Sequence, residues 1–270
     1  MRLRTSWRAF LVVWLCTTSV LVAGVAEAQA PDAAPDARAI LLKMGEFLGK
    51  TQRLSVKAIT AYDSVQPSGE KVEWNEVRTL TLSRPDRLRM EAEKSDGARS
   101  LIVFDGKQIT SYDEAGRVYA QAPQPGGVDD TLVYFVRDLG MRLPLAVFFL
   151  SRAASELDRR VQSVQYVEKT GILGAPAHHL VGRTDTVNFQ LWIADGDQPV
   201  LQRIVLTYPS APGQPQFRAH FSAWNLAPET ADSLFTFTPP TDTNKIPFVA
   251  TLPRYGAATS GASAQKGAKQ

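Results

Sequence analysis

The sequence predicts a mainly β fold of the α+β class: an antiparallel sheet that carries an N-terminal helix and a two-helix insertion. Three observations lead to this class. Strand-like alternation of apolar and polar residues recurs at short spacing from Arg53 onward. The connections between these segments are too short to hold crossover helices, so neighbouring strands run antiparallel. Residues 36–50, in contrast, carry their apolar residues at helical spacing, and residues 128–154 read as two short helices that are apolar nearly all round.

The first 30 residues have the layout of a cleavable secretory signal peptide. Three arginines precede an apolar run over residues 9–15, and small residues end at Ala28 and Ala30, the two candidate cleavage sites. An uncleaved membrane anchor is the alternative. The apolar run is interrupted by Thr17, however, and is short for the ~20 residues that a span needs. We therefore expect export to the periplasm of a Gram-negative envelope and no stable membrane span after cleavage.

Charge and cysteine content exclude several classes of protein. Residues 1–30 hold three of the 30 basic and one of the 27 acidic residues, so the mature chain has a net charge of +1. No cluster of Lys and Arg suggests a nucleic-acid partner. Cys16 is the only cysteine and lies in the predicted signal peptide, so we expect neither disulfides nor thiol chemistry.

The rest of the chain is expected to form one domain over residues 38–254. A Pro/Ala linker over residues 31–37 precedes it. Residues 255–270 are rich in Gly, Ala, Ser, Lys and Gln and are too poor in apolar side chains to offset the entropy of ordering, so we expect a disordered tail.

Within the domain, Asp36 is expected to cap a helix that ends near Lys50. Strand signals then follow one another to residue 121, separated by turns such as Asp105-Gly106, a hairpin signal. They resume at residue 161. The last predicted strand covers residues 233–238 and ends at two prolines.

The insertion over residues 128–154 reads as two short helices separated near residues 140–144. Their apolar residues leave hardly any polar face, which is typical of a helix that is buried or that touches a membrane or an apolar ligand. Ordinary core packing is the plainer interpretation. A sheet with these helices on one side would instead bring their side chains to the middle of a hollow.

Residues 187–208 predict the central hairpin of the sheet. Phe189, Leu191 and Ile193 are expected to point to the core. Trp192 points to the other face of the strand, and it is expected to line a cavity if one lies there. Neither face of this hairpin is cleanly polar, so we expect something to cover each face.

We find no motif that indicates catalysis, a cofactor or a metal. Nucleophile elbows, metal-binding helices, dinucleotide loops and calcium loops are absent from the sequence. The three histidines are His178, His179 and His220, and the first two are adjacent on one strand, so they point to opposite faces. The sequence therefore predicts a protein that is not an enzyme and that uses no cofactor.

The order of these elements, together with short phrases along the chain, resembles the LolA-like lipoprotein-carrier superfamily. The phrases are residues 84–89 (RPDRLR), 103–107 (VFDGK), 191–193 (LWI) and 234–240 (LFTFTPP). The closest similarity is to the branch described only as predicted periplasmic proteins of unknown function. The resemblance implies a strongly curved half-barrel whose concave face is closed by the helices and binds lipid or acylated protein. The functional arginine of the carriers has candidate counterparts in Arg78, Arg87 and Arg89.

Two hypotheses about function follow. The first is a carrier or binding protein for a lipid, an acyl chain or a lipidated protein, with the insertion as its lid. Its expected cavity residues are Phe135, Val136, Leu139, Phe148, Phe149 and Trp192. The second is a module that interacts with a protein partner in the envelope or senses envelope stress, and whose own side chains fill the core.

Overall fold

The computed structural model describes residues 35–138 and 143–248, and these residues contain a single 12-stranded sheet. The strand order is β12-β6-β5-β4-β3-β2-β1-β11-β10-β9-β8-β7. The strands are β1 Arg53–Val65, β2 Lys71–Ser83, β3 Arg87–Lys94, β4 Arg99–Phe104, β5 Gln108–Asp113, β6 Val118–Pro123, β7 Ser163–Thr170, β8 Ala177–Arg183, β9 Asn188–Ala194, β10 Leu201–Thr207, β11 Gln216–Asn225 and β12 Asn244–Lys245.

All pairs in this sheet are antiparallel except the short pair of β12 with β6. The sheet is curved and open, with β12 and β7 at its two edges, so the expected fold class is confirmed. Strands that follow one another in sequence are neighbours, because short turns leave no room for a crossover. There are two exceptions: the helical insertion separates β6 from β7, which lie at opposite ends of the sheet, and β12 pairs with β6 instead of β11. The pairing of β1 with β11 joins the two halves of the sheet.

The helices cover one face of the sheet, which we call the concave face; the other is the convex face. Helix α1 spans Ala37–Lys50, and its N-cap Asp36 accepts hydrogen bonds from the backbone of Arg38 and Ala39. Helix α2 spans Val128–Val133 and continues as a π-helix over Tyr134–Asp138. A 3-10 helix follows at Ala146–Phe149, and α3 spans Ala153–Arg160. In the described residues, no helix is long and apolar enough to cross a membrane.

The core lies between the concave face and these helices. Leu41, Met44 and Leu48 of α1 are fully buried there, which is the stripe that the helical spacing predicted. Strand β9 places Phe189, Leu191 and Ile193 in the same core, as expected for the central hairpin. Each of these side chains removes apolar surface from water, which is the main favourable contribution to folding.

The C-terminal segment differs from the prediction, because no strand forms at residues 233–238. A 3-10 helix at Asp232–Phe235 takes its place and buries Phe235, while Arg89 of β3 donates to the carbonyl of Leu234 (3.1 Å). Phe237 packs against Tyr112 and Tyr119 on the convex face, with ring centroids 5.4 and 5.6 Å apart. The prediction of a strand at residues 233–238 was therefore wrong. Its basis, the alternation of aromatic residues, fits this packing on the convex face as well as it fits a strand.

Candidate functional site

The site is built by the part of the insertion that lies over the concave face. We call residues 128–138 and 143–150 the covering segment. Two acidic residues, Asp129 and Asp130, open α2, where the helix dipole favours negative charge. Asp130 also accepts a hydrogen bond from the Gly127 N–H (3.0 Å). Local capping thus fixes where the segment begins.

An ion pair between Arg84 and Asp129 anchors both ends of the covering segment. The distance from Arg84 Nη1 to Asp129 Oδ1 is 3.1 Å, and the two side chains are 8% and 18% exposed. Arg84 also donates to the carbonyl oxygens of Phe149 (2.8 Å) and Thr51 (3.2 Å). Asp129 accepts in addition from the N–H (2.9 Å) and hydroxyl (2.6 Å) of Ser151.

This network joins the start of α2, the end of the following 3-10 helix and the end of α1 to the turn between β2 and β3. Burial lowers the pKa of Arg84, and the neighbouring carboxylate of Asp129 opposes that shift. The charge of the buried Arg84 guanidinium is therefore stabilised by Asp129. Among the described residues, the polar contacts of this network hold the covering segment at its two ends.

Between these anchors the covering segment and the sheet enclose an apolar cavity. The sheet contributes mainly apolar side chains: Val56, Ala58, Leu80, Met90, Ile102 and Phe221. The covering segment contributes Leu132, Phe135, Leu143, Leu145, Ala146 and Phe149. Cross-strand register explains the sheet wall, because Ala58 of β1 lies opposite Phe221 of β11 and, on its other side, opposite Arg78 of β2.

The cavity is narrow. Its volume is about 70 Å³. Ligand pockets usually have volumes of about 300–1,000 Å³. The volume of this cavity lies below that range, so the cavity offers little room for a bulky ligand.

Of the six residues that the sequence suggested for the cavity, Phe135 and Phe149 line it. Phe148 is buried, 5% exposed, but points into the core beside the cavity instead of lining it. Val136 is 45% exposed, because it is one step along the helix from Phe135 and turns outward. Leu139 lies outside the described residues.

Trp192 does not line the cavity either, because strand alternation places it on the convex face. There it stacks on His179, with ring centroids 4.2 Å apart and planes 10° from parallel, and the Arg203 guanidinium lies 5.0 Å from its ring centroid. His178 points to the opposite face and bonds Asp195 (2.9 Å), as expected for adjacent strand residues. In the described ranges, no group of His, Cys, Asp and Glu side chains is arranged to hold a metal.

The one polar residue of the cavity lining is Arg78, which the sequence named among three candidate arginines but did not place in the cavity. It lies two residues from Leu80 on β2 and therefore on the same face, so strand alternation alone could have identified it. Arg87 and Arg89, the other two candidate arginines, alternate with Leu88 and Met90 and thus lie on the convex side. Arg78 pairs with the carboxylate of Glu76; the two side chains are 19% and 4% exposed.

Comparison with known proteins supplies the family. Among curated proteins, none matches this sequence. Similar solved structures include an uncharacterized conserved protein from Thermus thermophilus (13% identity, 78% of this chain and 98% of that chain covered, TM-score 0.45). A LolA superfamily protein from Nitrosomonas europaea is also similar (14%, 76% and 99%, TM-score 0.35). So is the complex of MucA and MucB from Pseudomonas aeruginosa (18%, 75% and 62%, TM-score 0.40).

The model of one protein family matches residues 37–249, which is most of the chain. That family is described as predicted periplasmic protein, DUF2092. The expected resemblance to a branch of periplasmic proteins without an assigned function is thereby confirmed. The chain belongs to the DUF2092 family.

Proposed function

We propose that this protein binds and carries a lipid, an acyl chain or a lipidated protein in the periplasm, and that the apolar part of the cargo lies between the sheet and the covering segment. The cavity carries this proposal, because all of its lining residues except Arg78 are apolar. An unfilled apolar cavity forfeits dispersion contacts on its lining. A bound chain would restore those contacts.

The attachment of the covering segment supports uptake without unfolding of the sheet. Its polar anchors lie at Asp129 and at the carbonyl of Phe149. Between them, Leu132, Phe135 and Leu145 face the sheet across the cavity with apolar side chains. Apolar contacts are non-directional. An acyl chain that enters between these walls can therefore replace them with equivalent contacts, while the ion pair keeps the segment attached.

The proposal includes the route to the periplasm. Residues 1–30 act as the signal peptide and residues 38–254 form the binding domain, followed by a disordered tail from residue 255; residues 1–34 and 249–270 lie outside the described part of the chain. The family description as periplasmic supports this placement. The domain acts by binding and not by catalysis.

Filling the cavity tests the proposal. Ala58→Phe adds a ring to the sheet wall of the cavity, and Ile59→Phe is the matched control, since Ile59 is the next residue and is 50% exposed on the convex face. Overpacking costs about 1–3 kcal/mol, so the Ala58→Phe variant is first checked for a cooperative unfolding transition. Native mass spectrometry then measures the uptake of a fatty acid by each protein.

We expect the wild type and Ile59→Phe to take up one fatty acid and Ala58→Phe to take up none. Equal uptake by both variants would contradict the cavity as the binding site. Absence of uptake by the wild type itself would favour the second hypothesis, a protein-interaction or stress-sensing module whose cavity is filled by its own side chains.

A further inference from the structure

One charged side chain interrupts the apolar lining of the cavity. Arg78 lies on β2 two residues before Leu80, and its cross-strand neighbours on the concave face are Ala58 and Ala92. Its side chain is 19% exposed, so it is largely removed from water but still reachable. A guanidinium beside two alanines has little else to pack against, and burial of a charge is costly without a partner.

Glu76 supplies part of that partnership. The Arg78 Nε and Nη2 groups both approach one oxygen of Glu76, Oε1. A guanidinium has five N–H donors, and in the described residues Nη1 of Arg78 has no protein acceptor. Lys94 lies opposite Glu76 in the pairing of β2 with β3 and is exposed. The concave face thus carries two positive charges and one negative charge at this point.

Arg78 also marks a boundary along β2. On one side of it the strand continues with Leu80 and Leu82 into the cavity and the core. On the other side, alternation places Trp74 and Val72 on the same face, where they are 47% and 39% exposed. Arg78 therefore stands where the covered apolar interior gives way to a solvent-exposed stretch of the concave face.

We propose that the cargo is a single-chain amphiphile with an acidic head group, carboxylate or phosphate, which binds Arg78 while its chain runs past Leu80 and Met90 beneath Phe149. This inference rests on the proposed function and specifies its ligand. An anionic head accepts charge-assisted hydrogen bonds from the free donors of the guanidinium. A neutral head of similar size leaves those donors unpaired, which costs binding free energy. The narrow cavity selects one chain rather than two.

Displacement of a neutral apolar fluorophore from the cavity, at neutral pH, measures this selectivity. Four competitors share one chain length and differ in the head: dodecanoate, dodecyl phosphate, dodecanol and dodecyltrimethylammonium. We expect the wild type to bind the two acids about tenfold more tightly than dodecanol, and the cation least, since hydrogen bonds to charged groups are the stronger kind. The two acids separate carboxylate from phosphate recognition.

The variant removes both members of the pair, Glu76→Gln with Arg78→Met, so that no buried charge is left alone. We expect it to bind fluorophore and dodecanol as the wild type does and to lose the preference for acids. The control is Glu91→Gln with Arg89→Met. Arg89 and Glu91 are also two residues apart in sequence and form an ion pair (2.6 Å) on the neighbouring strand β3, where both side chains face the convex side. The control should keep the preference for acids.

Three results would overturn the inference: a wild type that binds dodecanol as tightly as the acids, a Glu76/Arg78 variant that keeps the preference, or a Glu91/Arg89 control that loses it. In each case fluorophore binding still supports the proposed function. If the fluorophore and all four amphiphiles fail to bind the wild type, the proposed function fails and the head-group inference fails with it.

Discussion

Replacement of Arg84 by methionine removes the anchor of the covering segment while keeping a side chain of similar length. Arg84 is 8% exposed and donates to Asp129 and to the carbonyls of Phe149 and Thr51. Loss of one partner of a buried ion pair costs about 3–5 kcal/mol. Asp129 keeps its bonds from Ser151 and is 18% exposed, so we expect the lower end, about 3 kcal/mol.

Equilibrium unfolding in urea measures this loss. The midpoint should fall while the slope of the transition stays unchanged, since the surface exposed on unfolding is the same. Arg87→Met is the control: its side chain is 30% exposed and pairs with adjacent Asp86, which is 41% exposed, so its removal should cost less than about 1 kcal/mol. A loss below 1 kcal/mol for Arg84→Met, or equal losses for both variants, would refute the anchoring role.

Three further predictions concern packing, the cavity wall and pH. Gly45→Ala should destabilise by about 1–3 kcal/mol, against the usual gain of alanine in a helix, because its Cβ would lie 2.8 Å from Ala154 Cα; urea unfolding checks the sign. Phe148→Asp should abolish the cooperative transition, since it buries a carboxylate, whereas Leu145→Asp at the partly buried cavity wall should keep the fold and lose fatty-acid binding in the displacement assay. A hydrogen bond from Arg159 is the main cause that lowers the pKa of Glu156 from 4.5 to about 2, so its stabilising contribution is present above pH 4.5 and is lost as the pH falls towards 2; Glu156→Gln should flatten the stability profile in that window.

Local patterns were enough to predict the sheet and the first helix. The alternation of Phe189, Leu191 and Ile193 identified the core face of β9, because one face of this strand packs against helices while the other meets the convex surface. Capping by Asp36 set the start of α1 within one residue. Short turns fixed the antiparallel order, since they leave strands no other neighbour.

Predictions that depend on distant contacts were less successful. The aromatic alternation around Phe235 and Phe237 is the same whether the segment pairs as a strand or lies across the sheet, and only the packing against Tyr112 and Tyr119 decides between them. Trp192 posed a similar problem. Both faces of its hairpin carry large side chains, so the sequence did not show that His179 and Arg203 would meet it on the convex face.

The cavity combined both situations. The apolar character of the insertion was evident from residues 128–154, and it pointed to Phe135 and Phe149. Which turn of each helix faces the sheet depends on the π-helix at Tyr134–Asp138 and on the anchor at Arg84, and neither feature has a local sequence signal that we used. Val136 and Phe148 were therefore expected in the cavity, although Val136 turns outward and Phe148 packs in the core beside it.

Photo-crosslinking with a dodecanoate that carries a photoactivatable group at the end of its chain tests the central claim most directly. Peptide mapping of the labelled protein by mass spectrometry locates the bound chain. Our account predicts labels on the cavity walls, at residues 80–90 and 143–149, and their loss in Ala58→Phe. Labels confined to the convex face around Trp192 and His179, or labelling that Ala58→Phe leaves unchanged, would contradict it.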